Sequence, residues 1–217
     1  HQSAGAIQGL INLLVKERRL LDENALEAIL VTAYEPAFGI IGDPAKRNPT
    51  TRQSADHSML YIVATLLRKA LELGDSLSTD PEEAWRQTML MPADYGREAI
   101  SHPVARRLME KISFAHGGPE YDTKYPEGIP TSLKVRFVNG ETLDSGLIMF
   151  PIGHARCDSA DLDKMLEAKF AKMGSLALPD GGEVPGLVKR FLGVSELSHA
   201  ELLALTDVQI AERESVD

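Results

Sequence analysis

Leu133-Lys134-Val135-Arg136-Phe137-Val138-Asn139-Gly140 decides the fold class of this chain. Leu133, Val135 and Phe137 alternate with Lys134 and Arg136, the period-two pattern of a strand with one face in a core and the other in water. Asn139-Gly140 is the strongest short signal for a two-residue hairpin turn. A return strand is therefore expected from Leu143 to Phe150.

Outward from the hairpin the pattern is mostly helical. Ile7, Leu10, Ile11, Leu14 and Val15 form one stripe at helical spacing. Leu26 to Tyr34 carries apolar residues on both alternating faces and predicts a strand buried on both sides. Pro36, then Gly42-Asp43-Pro44 through Pro49, break regular structure. Ser54 is placed to cap a helix whose stripe is Met59, Ile62, Val63, Leu66, Leu67, Ala70 and Leu71. Pro81-Glu82-Glu83 and Pro103 open two more helices. Ile112 to Ala115 suits a brief strand, and residues 117–130 an irregular loop. Downstream, Leu162, Met165, Leu166 and Phe170 mark a helix, and two short helices follow Gly182 and Ser198 before a polar, acidic tail. The pattern predicts an α+β fold: a small antiparallel sheet with helices on one face over residues 1–157, then a helical segment over residues 158–217.

Bulk properties narrow the function. With 217 residues, 43% hydrophobic and 25% charged, the chain has the balance of an ordinary globular protein. A net charge of −9 argues against nucleic acid or an anionic membrane as partner. It leaves room for a small anion, because a pocket needs only a few local cations. The single cysteine, Cys157, gives no disulfide framework, points to a reducing, intracellular setting, and cannot alone hold an iron–sulfur cluster. There is no HExxH and no paired CxxC, so no metal and no cofactor are expected. No apolar run approaches the roughly 20 residues of a membrane span.

Two segments concentrate chemistry. Lys46-Arg47-Asn48-Pro49-Thr50-Thr51-Arg52-Gln53-Ser54-Ala55-Asp56-His57 is a cationic, proline-bearing loop running into a helix start. Free N–H groups there favour an anion, Arg52 can grip a carboxylate through two hydrogen bonds, and His57 is expected in the first helical turn. The plain alternative is a surface loop with solvated cations. Gly153-His154-Ala155-Arg156 follows the return strand. Glycine allows a sharp turn or a close ligand, and His154 and Arg156, two apart, can face one cavity; the alternative is a strand-to-helix connector. His1-Gln2-Ser3 reads as a helix start. His102, His116 and His199 read as helix-start or turn residues without a catalytic role, and Cys157 as a packing residue. Tyr121 and Tyr125 are lid contacts or loop anchors.

Together these segments resemble the MmgE/PrpD family. Thr51-Arg52-Gln53-Ser54-Ala55-Asp56-His57-Ser58-Met59-Leu60-Tyr61 looks like its TRxxADHSxxY segment, and Phe150-Pro151-Ile152-Gly153-His154-Ala155-Arg156 like its YPxGHxR segment. His1-Gln2-Ser3-Ala4 is similar to its HxQ(S/T)A helix start, one residue shorter. Pro119-Glu120-Tyr121-Asp122 and Tyr125-Pro126-Glu127-Gly128-Ile129-Pro130-Thr131 are similar to a loop of its 2-methylcitrate dehydratases. The similarity runs from residue 1 to about 175, and Cys157-Asp158 departs from the residues usual after GHxR.

The resemblance implies a homodimeric enzyme with a large helical domain, an α+β lid, and C-terminal helices that return to the helical domain. This chain would supply the lid and the returning helices. It lacks the helical domain and a lysine upstream of the first helix, and is not expected to be a complete catalyst. The implied activity is cluster-independent dehydration of 2-methylcitrate in propionate catabolism, in the cytoplasm or the mitochondrial matrix. His57 and His154 are then the catalytic candidates, and Arg52, Gly153, Arg156, His1 and Lys46 the substrate-binding ones. Decarboxylation of cis-aconitate and an epimerase activity remain as alternatives within the family. A stand-alone binding or dimerisation module is the alternative outside it.

Overall fold

Strand β1 (Leu26–Ala33) is one of the two inner strands of the sheet. A computed structural model describes residues 1–179 and 183–212. The chain divides into two compact units, residues 1–160 and the described part of residues 161–215.

The first unit begins with α1 (Ala4–Leu14), whose buried stripe includes Leu10, Ile11 and Leu14. After β1 come α2 (Arg52–Asp56) and α3 (Met59–Leu73), then α4 (Pro81–Thr88), α5 (Arg97–Ile100) and α6 (Pro103–Glu110). Strand β2 (Ile112–His116) leads to a one-turn helix, α7 (Pro119–Asp122), within the stretch expected to be irregular. The hairpin strands are β3 (Thr131–Phe137) and β4 (Thr142–Asp144).

The fold is α+β, and its four strands lie in the order β2-β1-β3-β4. The sheet is mixed rather than wholly antiparallel: β1 and β2 run parallel, with Ile29 opposite Ile112 and Ala33 opposite His116. The physical reason is the long helical crossover from β1 to β2, which returns the chain to the edge beside β1 in the same direction. The other two pairs are antiparallel, with Ala33 opposite Thr131 and Arg136 opposite Thr142.

The core lies on one sheet face. Ile29 and Val31 of β1, Leu133, Val135 and Phe137 of β3, and Met59, Val63, Leu66 and Leu67 of α3 belong to one buried cluster with the α1 stripe. Ala28, Leu30 and Thr32 on the opposite face of β1 are only half-buried, so β1 is not covered on both sides as its apolar run predicts. Gly5 and Gly9 bring α1 against β3: a Cβ on Gly9 would lie 2.7 Å from Leu133 Cδ1.

The hairpin turn spans three residues. Gly140 N–H reaches Phe137 O at 2.9 Å, Phe137 N–H reaches Glu141 O at 2.9 Å, and the left-handed position falls on Gly140 (φ +86°). The return strand is shorter than expected: Ser145 N–H still donates to Leu133 O at 2.9 Å, but the answering bond from Leu133 goes to the Ser145 side chain instead of the backbone. Its Oγ accepts from Leu133 N–H at 2.9 Å, and Gly146 (φ +68°) turns the backbone away. Pairing resumes only as a single bridge between Thr131 and Ile148.

The second unit holds α8 (Leu162–Ala177), α9 (Val184–Leu192) and α10 (His199–Leu203). Asp161 and Ser198 cap α8 and α10 through their side chains. Its small core joins Leu178, Val184 and Leu187. On α8 Met165 is buried, whereas Leu166, Phe170, Met173 and Leu176 are exposed. Gly182 and residues 213–217 of the acidic tail lie outside the described residues. Among the described residues no helix is long and apolar enough to cross a membrane.

Candidate functional site

The cationic segment folds as two helix starts rather than one. Thr51 caps α2 in a reciprocal capping box with Ser54, so Ser54 sits inside the first turn and does not begin the long helix. Ser58 caps α3, and its hydroxyl also donates to Lys46 O at 2.8 Å, tying the loop to the second helix start. His57 consequently occupies the carboxyl end of α2, not the first turn of a helix. Its Nδ1 contacts Gln53 O at 2.8 Å and the Asp56 carboxylate, and Nε2 has no hydrogen-bond partner among the described residues. Arg52 is exposed and has no hydrogen-bond or ion-pair partner among the described residues. Lys46 is half-buried at the end of a tight turn. Beside this segment lies a cleft of about 380 Å³ whose lining includes Arg47, Asn48 and Arg106 together with the acidic Glu110. Arg106 is fully engaged there, on Asn48 Oδ1 and the carbonyls of Pro49 and Ile100.

The Gly153–Arg156 turn is built differently. Gly153 has φ +93°, the left-handed region that disfavours a side chain. Ile152 N–H donates to Gln8 Oε1 of α1 at 3.1 Å. Arg156 N–H donates to His154 Nδ1 at 3.1 Å, so the neutral ring carries its proton on Nε2. The His154 ring lies 5.0 Å from that of Phe150. The Arg156 guanidinium lies 5.8 Å from the Phe150 ring and pairs with Glu127. Three segments thus meet here: α1, the 119–131 loop and the Gly153 turn. His1 is exposed at the start of α1, where Gln2 Nε2 donates to Pro36 O at 3.2 Å.

Among the described residues no hydrogen bond, ion pair or ring contact joins the Arg52–His57 segment to the Gly153–Arg156 turn. No group of three or more His, Cys, Asp or Glu side chains among them is arranged to hold a metal ion.

One cluster escaped the sequence reading. His116 ends β2 and its Nε2 meets Asp122 Oδ2 at 2.9 Å, with Glu35 Oε2 at 3.6 Å. Asp122 Oδ1 also accepts Glu35 N–H at 2.8 Å, so one carboxylate fastens α7 to the ends of both parallel strands. The signal that could have found it is a histidine closing a strand just before a Gly-Gly-Pro turn, with an acid six residues on. Beside it Tyr34 is fully buried, its hydroxyl has no partner among the described residues, and burial pushes the phenol up to about 12.

No protein-family model matches the chain, and no curated protein matches it.

Proposed function

We propose that this chain is the lid and returning-helix portion of a cluster-independent 2-methylcitrate dehydratase of the MmgE/PrpD type. The observation that carries the reading is the ordered set of four motif segments, from His1-Gln2-Ser3-Ala4 to Phe150–Arg156. It is supported by the direct bonds tying α1, the 119–131 loop and the Gly153 turn together.

Dehydration removes a proton beside a carboxylate and expels a hydroxyl, which requires proton transfer and cations for three carboxylates. In this reading His154 presents Nε2–H to the leaving oxygen and His57 presents Nε2 for proton transfer. Arg52, Arg156, Lys46 and His1 hold substrate carboxylates, while the open Gly153 backbone admits the substrate closely. The base for the carbon-bound proton belongs to the helical domain. The exposed apolar residues of α8 support docking of these helices on that domain. They equally suit a dimerisation module, the second reading.

The test is an ultraviolet assay of the full chain as its gene encodes it, with 2-methylcitrate, citrate and cis-aconitate as competing substrates. Loss of turnover of 100-fold or more is expected in His57→Ala and in His154→Ala, with thermal stability retained. Wild-type rates in both variants sink the site assignment. Preference for cis-aconitate with release of carbon dioxide moves the reading to a decarboxylase, and no turnover of any of the three favours the module.

A further inference from the structure

The two arginines proposed for substrate carboxylates stand in different states. Arg52 has no partner among the described residues, whereas Arg156 is already paired with Glu127. We infer that Glu127 is a gate on Arg156: its carboxylate holds the place of a substrate carboxylate, and a tricarboxylate binds by exchanging with it. This rests on the reading of Arg156 as a carboxylate-binding residue.

Glu127 is held at Arg156 rather than meeting it by chance. The Ile129 N–H donates to Met149 O at 3.0 Å, and a Cβ on Gly128 would lie 2.8 Å from that same oxygen, so the backbone after Glu127 lies flush on the chain leading to the turn. On the other side of Glu127, Asp122 fastens the loop to Glu35 and His116, and the Tyr125 ring stacks on Tyr34. Arg156 is equally confined, by the Phe150 ring and by the His154 Nδ1 contact of its own backbone.

The pair is nonetheless exchangeable. Both side chains are more than half exposed, at 57% and 64%, where water screens the attraction. The contact joins one guanidinium nitrogen, Nη1, to one carboxylate oxygen, Oε1. A free carboxylate can instead take the two-point geometry of the guanidinium fork, which is stronger. Exchange therefore exploits a difference in bonding, and moving Glu127 displaces a loop whose far end rests on the carboxyl ends of β1 and β2.

The experiment compares Glu127→Gln with Glu120→Gln in the full chain as encoded. Glu120 is exposed on the same loop and carries the same charge, but among the described residues only its carbonyl is bonded, to Lys124. The readouts are KM for 2-methylcitrate and calorimetric Kd for tricarballylate, a tricarboxylate without a hydroxyl to lose. Glu127→Gln should lower both by about two- to fivefold, the range of an exposed ion pair, and Glu120→Gln should change neither. Glu127→Ala should match Glu127→Gln. Unchanged constants in Glu127→Gln, or an equal gain in Glu120→Gln, overturn the gate while wild-type turnover keeps the dehydratase reading. Tighter tricarballylate binding by Glu127→Gln alone, in a protein that turns over no tricarboxylate, supports the gate and overturns the dehydratase. A wild type that neither binds nor turns over overturns both.

Discussion

Tyr34 and Tyr125 lie ring on ring, their centroids 4.6 Å and their planes 20° apart, the first fully buried and the second exposed. The stack anchors the 119–131 loop at the end of β1, but it leaves the Tyr34 hydroxyl in the interior without a partner among the described residues. A buried donor without an acceptor costs about 1–3 kcal/mol. Tyr34→Phe keeps the ring and removes the hydroxyl, so urea unfolding should show a gain of about 1 kcal/mol. The pH dependence has a definite sign. Burial raises the folded phenol from 10.0 to about 12, so its contribution is complete below pH 10 and is lost as pH rises towards 12. Wild type should lose stability across that window faster than Tyr34→Phe. Parallel alkaline slopes would contradict this account.

Asp94 carries a second buried polar network. Its Oδ1 accepts from Arg68 Nη2 at 3.0 Å, and its Oδ2 from Lys69 Nζ at 2.6 Å and Met91 N–H at 2.8 Å. Arg68 is only 9% exposed, so removing Asp94 leaves a buried cation whose one remaining partner among the described residues is Glu72. Asp94→Ala should cost about 3 kcal/mol in chemical unfolding. Adding Arg68→Met should recover part of that loss, because the stranded charge goes too. A double variant no better than the single one would place the cost elsewhere.

Glycines at two helix positions should respond in opposite directions to alanine. A Cβ on Gly5 of α1 would sit 2.6 Å from Thr131 Oγ1 and 2.9 Å from Ile129 O, so Gly5→Ala should destabilise by about 1–3 kcal/mol. Gly186 of α9 has nothing among the described residues within 4 Å of that position, and Gly186→Ala should gain up to about 1 kcal/mol from helix propensity. Thermal unfolding of both variants measures this, and a stabilised Gly5→Ala would refute the close approach of α1 to β3.

Glu17 ties stability to acid. Hydrogen bonds from the Arg19 side chain and backbone hold its carboxyl down from 4.5 to about 2. The stabilisation is complete above pH 4.5 and disappears as pH falls to about 2. Glu17→Gln should therefore melt below wild type at neutral pH and level with it near pH 2. A gap that persists in acid would show that the loss is not electrostatic.

Local patterns were legible in the sequence where the physics is local. The β3 alternation, the hairpin turn at Asn139-Gly140 and the α3 stripe each depend on neighbours a few residues away, and each formed near its expected place, the turn with three residues rather than two. The break between α2 and α3 was hidden because Ser58 is identified as a cap only by its own bonds, to Tyr61 N–H and Lys46 O. Parallel pairing of β1 with β2 depends on where a long crossover deposits the chain, which periodicity does not encode. The site divides in the same way. Gly153, His154 and Arg156 announced a turn by residue type, whereas the Asp122 link to Glu35 and His116, and the Glu127 grip on Arg156, join residues that only folding brings together.

The strand order also fixes when the sheet can exist. Every partner of β1 lies far downstream: β2 begins at Ile112 and β3 at Thr131. A chain emerging from the ribosome must therefore carry Ile29, Val31 and Tyr34 unpaired until the whole helical crossover has followed. During that interval the central strand is a sticky, unprotected edge, and closing so long a loop makes its pairing slow. Translation speed and chaperone capture across residues 34–131 thus bear directly on how much of this protein reaches its native state.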